Sequence, residues 1–143
     1  MKAIRLSKVP VIAIVDDDEA MRDALSELLQ VMGFSCSAFD GAAAFLARHA
    51  PGRFDCLITD VRMPGMDGID LQRRLRALDS TLPVVIITSA PDAATRARAL
   101  DGGTCAYLAK PVDDGALLDH LRSVLGDDDG RGEQLDEEDL SGG

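Results

Sequence analysis

Five apolar, strand-length runs recur along the chain: VIAIV (11–15), FSCSA (34–38), CLIT (56–59), VVIIT (84–88) and AYLA (106–109). The gaps between them are too long for hairpin turns, and each is long enough for a helical crossover. Helical patterns fill those gaps. Met21, Leu25, Leu28 and Met32 fall at i, i+4, i+7 and i+11, one face of a helix over 18–32, and Gly33 stands where a left-handed C-cap is wanted. Asp40 can cap a second helix over 41–49, stopped by Pro51-Gly52. Leu71, Leu75 and Leu78 stripe a third, and Pro83 bars its continuation. The fourth, about 92–101, is mostly Ala and Arg, with Leu100 as its one large apolar residue. The fifth runs from Asp113 or Asp114 to Leu125, with Leu117, Leu121 and Val124 on one face.

Strand–helix alternation repeated five times predicts an α/β fold, a doubly wound five-stranded parallel sheet with five helices covering both faces. The near-continuous apolar runs 11–15, 56–59 and 84–88 suit strands buried on both sides. FSCSA alternates instead, as an edge strand does. Folds of this kind place ligands beyond the carboxyl ends of the strands, at the topological switch point.

Those ends carry the chemistry. Strand 1 ends in Asp16-Asp17-Asp18-Glu19, strand 3 in Asp60, strand 4 in Thr88-Ser89 and strand 5 in Lys110-Pro111. Taken singly, acid clusters are solvated loops or caps, and Lys-Pro is a loop. Jointly they put three carboxylates, a hydroxyl and an ammonium on one rim. Asp16, Asp17 and Asp60 repel one another, and Lys110 cancels only one of their charges. Mg²⁺ resolves this, since it takes oxygen ligands from one or two carboxylates plus phosphate oxygens. With the metal present, Asp60 can act as a nucleophile toward phosphorus. Mg²⁺, Lys110 and Thr88 then suit the three anionic oxygens of a transferred phosphoryl group.

Composition bounds the setting. A length of 143 residues, 46% hydrophobic and 28% charged, fits one soluble domain with a sizeable core. No stretch approaches the ~18 apolar residues of a membrane span. MKAIRLSKVPVIAIV lacks a signal-peptide cleavage site, so a cytoplasmic protein without membrane contact is expected. Cys36, Cys56 and Cys105 are odd in number and widely spaced, which predicts small buried hydrophobes rather than a disulfide or zinc framework. The net charge of −10 is concentrated in 126–143, which holds eight acids and one Arg. That segment reads as a disordered tail or linker beside a domain over 1–125. An acidic balance with no basic stripe argues against nucleic-acid binding by this chain itself. QRRLR (72–76) reads as the solvated face of the third helix, His49 and His120 as surface residues, and Tyr107 as a half-buried strand aromatic with its hydroxyl in water.

The order VDDDE, LITDVRMPGMDG, VVIIT, YLAKP resembles the receiver domain of two-component response regulators, over about residues 9–125. SAFDGAAAFLA and the style of 83–111 are most similar to the FixJ-like subgroup. The resemblance implies a flavodoxin-like sheet of order 2-1-3-4-5. It implies Asp60 as phosphoacceptor, Asp16 and Asp17 as the acidic pair for Mg²⁺, and the Arg62 backbone carbonyl as a further ligand. It also implies Lys110 as the phosphoryl-binding lysine before a cis Lys110–Pro111 bond, and Thr88 and Tyr107 as a switch pair. The implied partners are a sensor histidine kinase or phosphotransfer protein, then a downstream protein or a second copy on phosphorylation. Beyond slow self-phosphorylation and autodephosphorylation at Asp60, no enzyme activity is implied.

Three features depart from the family pattern. Val112 stands where phenylalanine often follows Lys-Pro, Gly102-Gly103 adds a glycine at the end of helix 4, and an acidic tail follows where FixJ-like regulators continue into a DNA-binding domain. A single-domain regulator and the receiver part of a longer DNA-binding transcription factor both remain open readings. A haloacid-dehalogenase-type Mg²⁺ phosphohydrolase also uses a nucleophilic Asp. It requires Asp-x-Asp-x-Thr/Val, however, and Ala20 fills the last place here.

Overall fold

The computed structural model describes residues 9–78, 80–89 and 91–126. The expected acidic tail thus lies, apart from Gly126, outside the described residues. Strands β1 (Val11–Val15), β2 (Ser35–Phe39), β3 (Cys56–Asp60), β4 (Val84–Thr88) and β5 (Ala106–Ala109) alternate with helices α1 (Glu19–Val31), α2 (Ala42–Arg48), α3 (Gly68–Ala77), α4 (Ala93–Asp101) and α5 (Asp114–Val124). All pairings are parallel, in the order β2-β1-β3-β4-β5. The chain order reverses direction between β1 and β3, which makes the carboxyl ends of those two strands the switch point.

Two-residue alternation sorts the core into two layers. Ala13, Val15, Leu57, Val84 and Ile86 point to one face, where they meet Phe45, Ile69, Leu71, Leu75 and Ala99 of α2, α3 and α4. Ile12, Ile14, Ile58, Val85 and Ile87 point to the other, against Leu25 and Leu29 of α1 and Leu117 and Leu121 of α5. Burying each such side chain contributes about 1.5–3 kcal/mol before the cost of ordering the chain. The edge position of β2 agrees with its alternating sequence, although the strand begins one residue later than expected.

Aspartate side chains cap four of the five helices. Asp18, Asp67, Asp92 and Asp113 each accept a backbone N–H of the first turn. The second helix differs: Gly41, not Asp40, is its N-cap, and no side chain caps it. Packing holds it instead. Phe45 lies 5.6 Å from Phe39 and 5.5 Å from Phe54, ring centroid to centroid. Leu78 is not part of the α3 stripe either; it is the C-cap and is 57% exposed.

The expectation for α4 is half right. Its one large apolar residue, Leu100, is exposed, and Ala99 is the residue it buries. Its remaining ties to α3 are Arg98 ion pairs to Asp67 at 3.7 Å and Asp70 at 3.9 Å. Half-exposed pairs of this length contribute at most about 1 kcal/mol. The extra glycine has a steric reason. Gly103 takes φ +88° at the helix end, whereas a Cβ on Gly102 would come within 2.8 Å of Gln72 Oε1. Gln72 is fully buried, which corrects the reading of 72–76 as a solvated face.

Two glycines shape the loop after β3. Gly65 turns at φ +81°, and a Cβ on Gly68 would run into the backbone carbonyl of Asp60. The first turn of α3 therefore abuts the strand end that presents Asp60. Gly68→Ala is expected to destabilise the domain by about 1–3 kcal/mol through this overlap. Urea denaturation checks it, with Gly115→Ala, whose Cβ would make only a 3.4 Å contact with Asp113, as the comparison.

Candidate phosphoryl-acceptor site

The register that builds the sheet also assembles the site. Ile12, Ile14 and Ala13, Val15 pair with Cys56, Ile58 and Leu57, Thr59, so one step further brings Asp16 beside Asp60. Both aspartates are buried, 0% and 7% exposed. Lys110 projects from beyond β5, two strands from β3, a span of roughly 10 Å at ordinary strand spacing. Its flexible stem covers that span and brings Nζ to 3.1 Å from Asp16 Oδ2 and 3.3 Å from Asp60 Oδ2. The Lys110–Pro111 bond is cis, and the Lys110 N–H donates to the Thr88 carbonyl at 2.8 Å.

Asp16 is tied at every polar atom. Its N–H donates to the Phe39 carbonyl at 3.1 Å, and its Oδ1 accepts the Asp18 N–H at 2.9 Å. Its own carbonyl accepts from Arg22 Nη1 at 2.9 Å. Arg22 is absent from the residues expected at the site. A sequence signal existed: a cation in the first turn of a helix opposes the helix dipole, so its placement asks for another reason. Asp18 points away from the cluster and caps α1, its Oδ1 accepting the Ala20 N–H at 3.0 Å.

Asp16, Asp17 and Asp60 each place one carboxylate oxygen within 4.8 Å of the others. The set contains only hard oxygen donors, with two members buried and the third exposed. That suits Mg²⁺, which keeps part of its water shell, and does not suit zinc, which prefers nitrogen and sulfur. Burial pushes the Asp60 carboxyl above its ordinary range, and the charge of Asp16 pushes it further. Lys110 opposes both, and the Val61 N–H helps by donating to Asp60 Oδ1 at 2.8 Å. Burial alone would depress the Lys110 ammonium, but its bond to Asp16 and the charge of Asp60 outweigh that, and the net shift is upward.

Thr88 closes β4 and is buried. Arg62 follows in the loop two residues after Asp60, its side chain exposed. Tyr107 corrects the expectation of a wet hydroxyl. The ring packs against the α2–α4 core layer, and its hydroxyl is buried with no hydrogen-bond partner among the described residues. Burial accordingly pushes the phenol up from its ordinary value. Of the other residues singled out, Cys56 is buried with its thiol pushed up to about 12 by desolvation, whereas Cys36 is half-buried and Cys105 exposed. His49 and His120 are half-buried rather than superficial, and His49 stacks on Phe45 at 5.4 Å. Neither lies in the carboxylate cluster. No helix among the described residues is long and apolar enough to cross a membrane.

Comparison with known proteins gives this geometry its context. The family model described as the response regulator receiver domain matches residues 12–122. The transcriptional regulatory protein FixJ of Bradyrhizobium diazoefficiens is 40% identical over 114 residues, covering 80% of this chain and 56% of that protein. The response regulator protein TodT of Pseudomonas putida is 36% identical, covering 82% and 52%. The chain thus spans about half the length of these curated relatives. Among solved structures, the response regulator StyR superimposes with a TM-score of 0.78 at 38% identity, over 88% of this chain and 64% of that one. The sheet order and five covering helices are those of the flavodoxin-like receiver fold. The chain belongs to the response regulator receiver domain family, and its similarity to FixJ proteins supports the FixJ-like subgroup.

Proposed function

We propose that the chain accepts a phosphoryl group on Asp60 from a sensor histidine kinase or phosphotransfer protein, and that this changes how it binds a partner. The observation that carries the reading is the buried Asp60 carboxylate, held at a strand end 3.3 Å from the Lys110 ammonium. An Asp60 oxygen attacks phosphorus and forms the O–P bond as the P–N bond to the donor imidazole breaks. The imidazole leaves with that electron pair. Lys110 and the Thr88 hydroxyl receive the phosphoryl oxygens. Asp16, Asp17, Asp60 and the Arg62 backbone carbonyl hold Mg²⁺, which offsets the crowded negative charge when bound.

Output is assigned to α4, β5 and α5. Thr88 gains a charged partner when Asp60 is phosphorylated, and Tyr107 follows the change at Thr88. The thin burial of α4 leaves that face the easiest to repack. Residues 1–125 act as the receiver, and 126–143 as a solvating tail or linker. A cytoplasmic location fits this role, with no membrane or nucleic-acid contact by this chain itself. The chain works as a signalling module rather than as an enzyme of steady turnover.

An acyl phosphate with Mg²⁺ is expected to add one phosphoryl group to wild type and none to Asp60→Asn, read by intact mass. Equal labelling of the two proteins sinks the assignment. Amide shifts recorded with beryllofluoride are expected to move in 93–124 as well as in the site loops; silence there removes the output face.

Charge at Asp60 also sets a pH dependence. Its folded pKa is raised, so its ionisation weakens the metal-free fold as pH climbs from the ordinary 3.8 through the raised value. Asp60→Asn is therefore expected to melt higher than wild type at neutral pH without metal, with the gap narrowing as pH falls toward 3.8. Calorimetry across that range checks the sign.

The neighbouring acids should separate cleanly. Asp17→Ala is expected to weaken Mg²⁺ binding, and Asp18→Ala to leave it nearly unchanged while costing about 1 kcal/mol through the lost α1 cap. Magnesium titration and urea denaturation of both variants distinguish the two effects.

A further inference from the structure

We propose that Arg22 is a positioning residue that holds Asp17 in place for the divalent cation; this rests on the metal-dependent reading above. Arg22 grips the chain on both sides of Asp17. Its guanidinium Nη1 donates to the Asp16 carbonyl at 2.9 Å, and its backbone N–H donates to the Asp18 carbonyl at 3.0 Å. Asp17 lies between these two anchors. It is the exposed member of the carboxylate cluster, and among the described residues its side chain has no hydrogen bond of its own. Asp16 and Asp60 need no such help, since burial, Lys110 and backbone amides fix them.

The choice of acceptor is the telling feature. A guanidinium beside several aspartates would ordinarily pair with a carboxylate, by Coulomb attraction and matching geometry. Arg22 makes no ion pair among the described residues and takes a neutral backbone oxygen instead. A carboxylate paired with arginine is a poorer cation ligand. The present contact leaves the Asp17 carboxylate open to the metal while bracing the loop that carries it and Asp16. Partners that orient ligands in this way commonly change metal affinity by about 10–100-fold when removed.

Two explanations of Arg22 predict opposite signs. If it acts only as a nearby positive charge, Arg22→Ala removes repulsion and tightens Mg²⁺ binding. If it positions Asp17, the same change weakens binding by about 10-fold or more. Calorimetric Mg²⁺ titration of the whole chain, without phosphodonor, reads the sign directly. Arg22→Lys keeps the charge and one donor, and its affinity is expected to lie between those of wild type and Arg22→Ala. Arg73→Ala, an exposed charge on α3, is expected to bind like wild type. Amide hydrogen exchange of the metal-free chain supplies a second readout: Asp17 and Asp18 exchange faster in the Arg22 variants while β1 stays protected. If Arg22→Ala fails to fold, the same two measurements on Arg22→Lys decide. Equal or tighter Mg²⁺ binding by the folded variants overturns the inference while leaving the functional reading intact. A wild type that binds no Mg²⁺ overturns both.

Discussion

Two buried carboxylates share one ammonium at the carboxyl edge of the sheet. Asp16 and Asp60 sit on adjacent strands, and Lys110 reaches both from beyond β5. Two negative charges against one positive charge, out of bulk water, form an arrangement that folding alone would not favour. The rest of the molecule can be read as the means of holding it. Parallel register aligns the two aspartates, Gly68 lets α3 close up behind the Asp60 carbonyl, and Asp16 is tied through its amide, its carbonyl and both carboxylate oxygens. Rigid surroundings keep the charges from relaxing apart, so the excess negative charge stays crowded at a cluster that could hold a cation.

The same surroundings are not uniformly rigid. Layers under α1 and α5 and under α2 and α3 bury large apolar side chains, while α4 buries an alanine and carries its leucine outside. Gln72 adds to the contrast, since both polar atoms of its buried amide lack a hydrogen-bond partner among the described residues. An unsatisfied buried amide costs on the order of 1–3 kcal/mol. Apolar burial is thus concentrated in the layers under α1 and α5 and under α2 and α3, and is thinnest along the seam between α3 and α4.

Most of the fold was legible in the sequence because its elements follow local rules. Strands came from apolar runs and helices from periodicity. The acidic cluster and its neighbours were legible for a related reason: Asp16, Asp17, Asp60, Thr88 and Lys110 each end a strand or lie at the start of the loop after it. What escaped depends on contacts distant in the chain. Gly41 replaces Asp40 as a cap because the phenylalanine cluster fixes α2. The burial of Gln72 and the exposure of Leu78 and Leu100 follow from where α3 and α4 meet the sheet, not from their own periodicity. Tyr107 has a buried hydroxyl because the α2–α4 layer closes over it, which no count of neighbouring residues could reveal. Arg22 contacts a loop only six residues away, but its significance depends on the acids assembled there.

Parity along the strands gives the site its final constraint. Asp60 continues the series Cys56, Ile58, and Lys110 continues Ala106, Leu108, so both belong to the face covered by α1 and α5. Thr88 continues Val84, Ile86, and Tyr107 packs with that same layer, on the face covered by α2, α3 and α4. Asp60 and Lys110 therefore stand on one face of the sheet, and Thr88 and Tyr107 on the other. At the carboxyl edge the two layers meet, and Thr88, one residue past the partner of Asp60 in the β3–β4 register, ends its strand there. A threonine is well suited to this position, because its methyl can remain in the apolar layer while its hydroxyl turns toward the charged rim. That dual character lets one side chain at the strand end join the two layers of the fold.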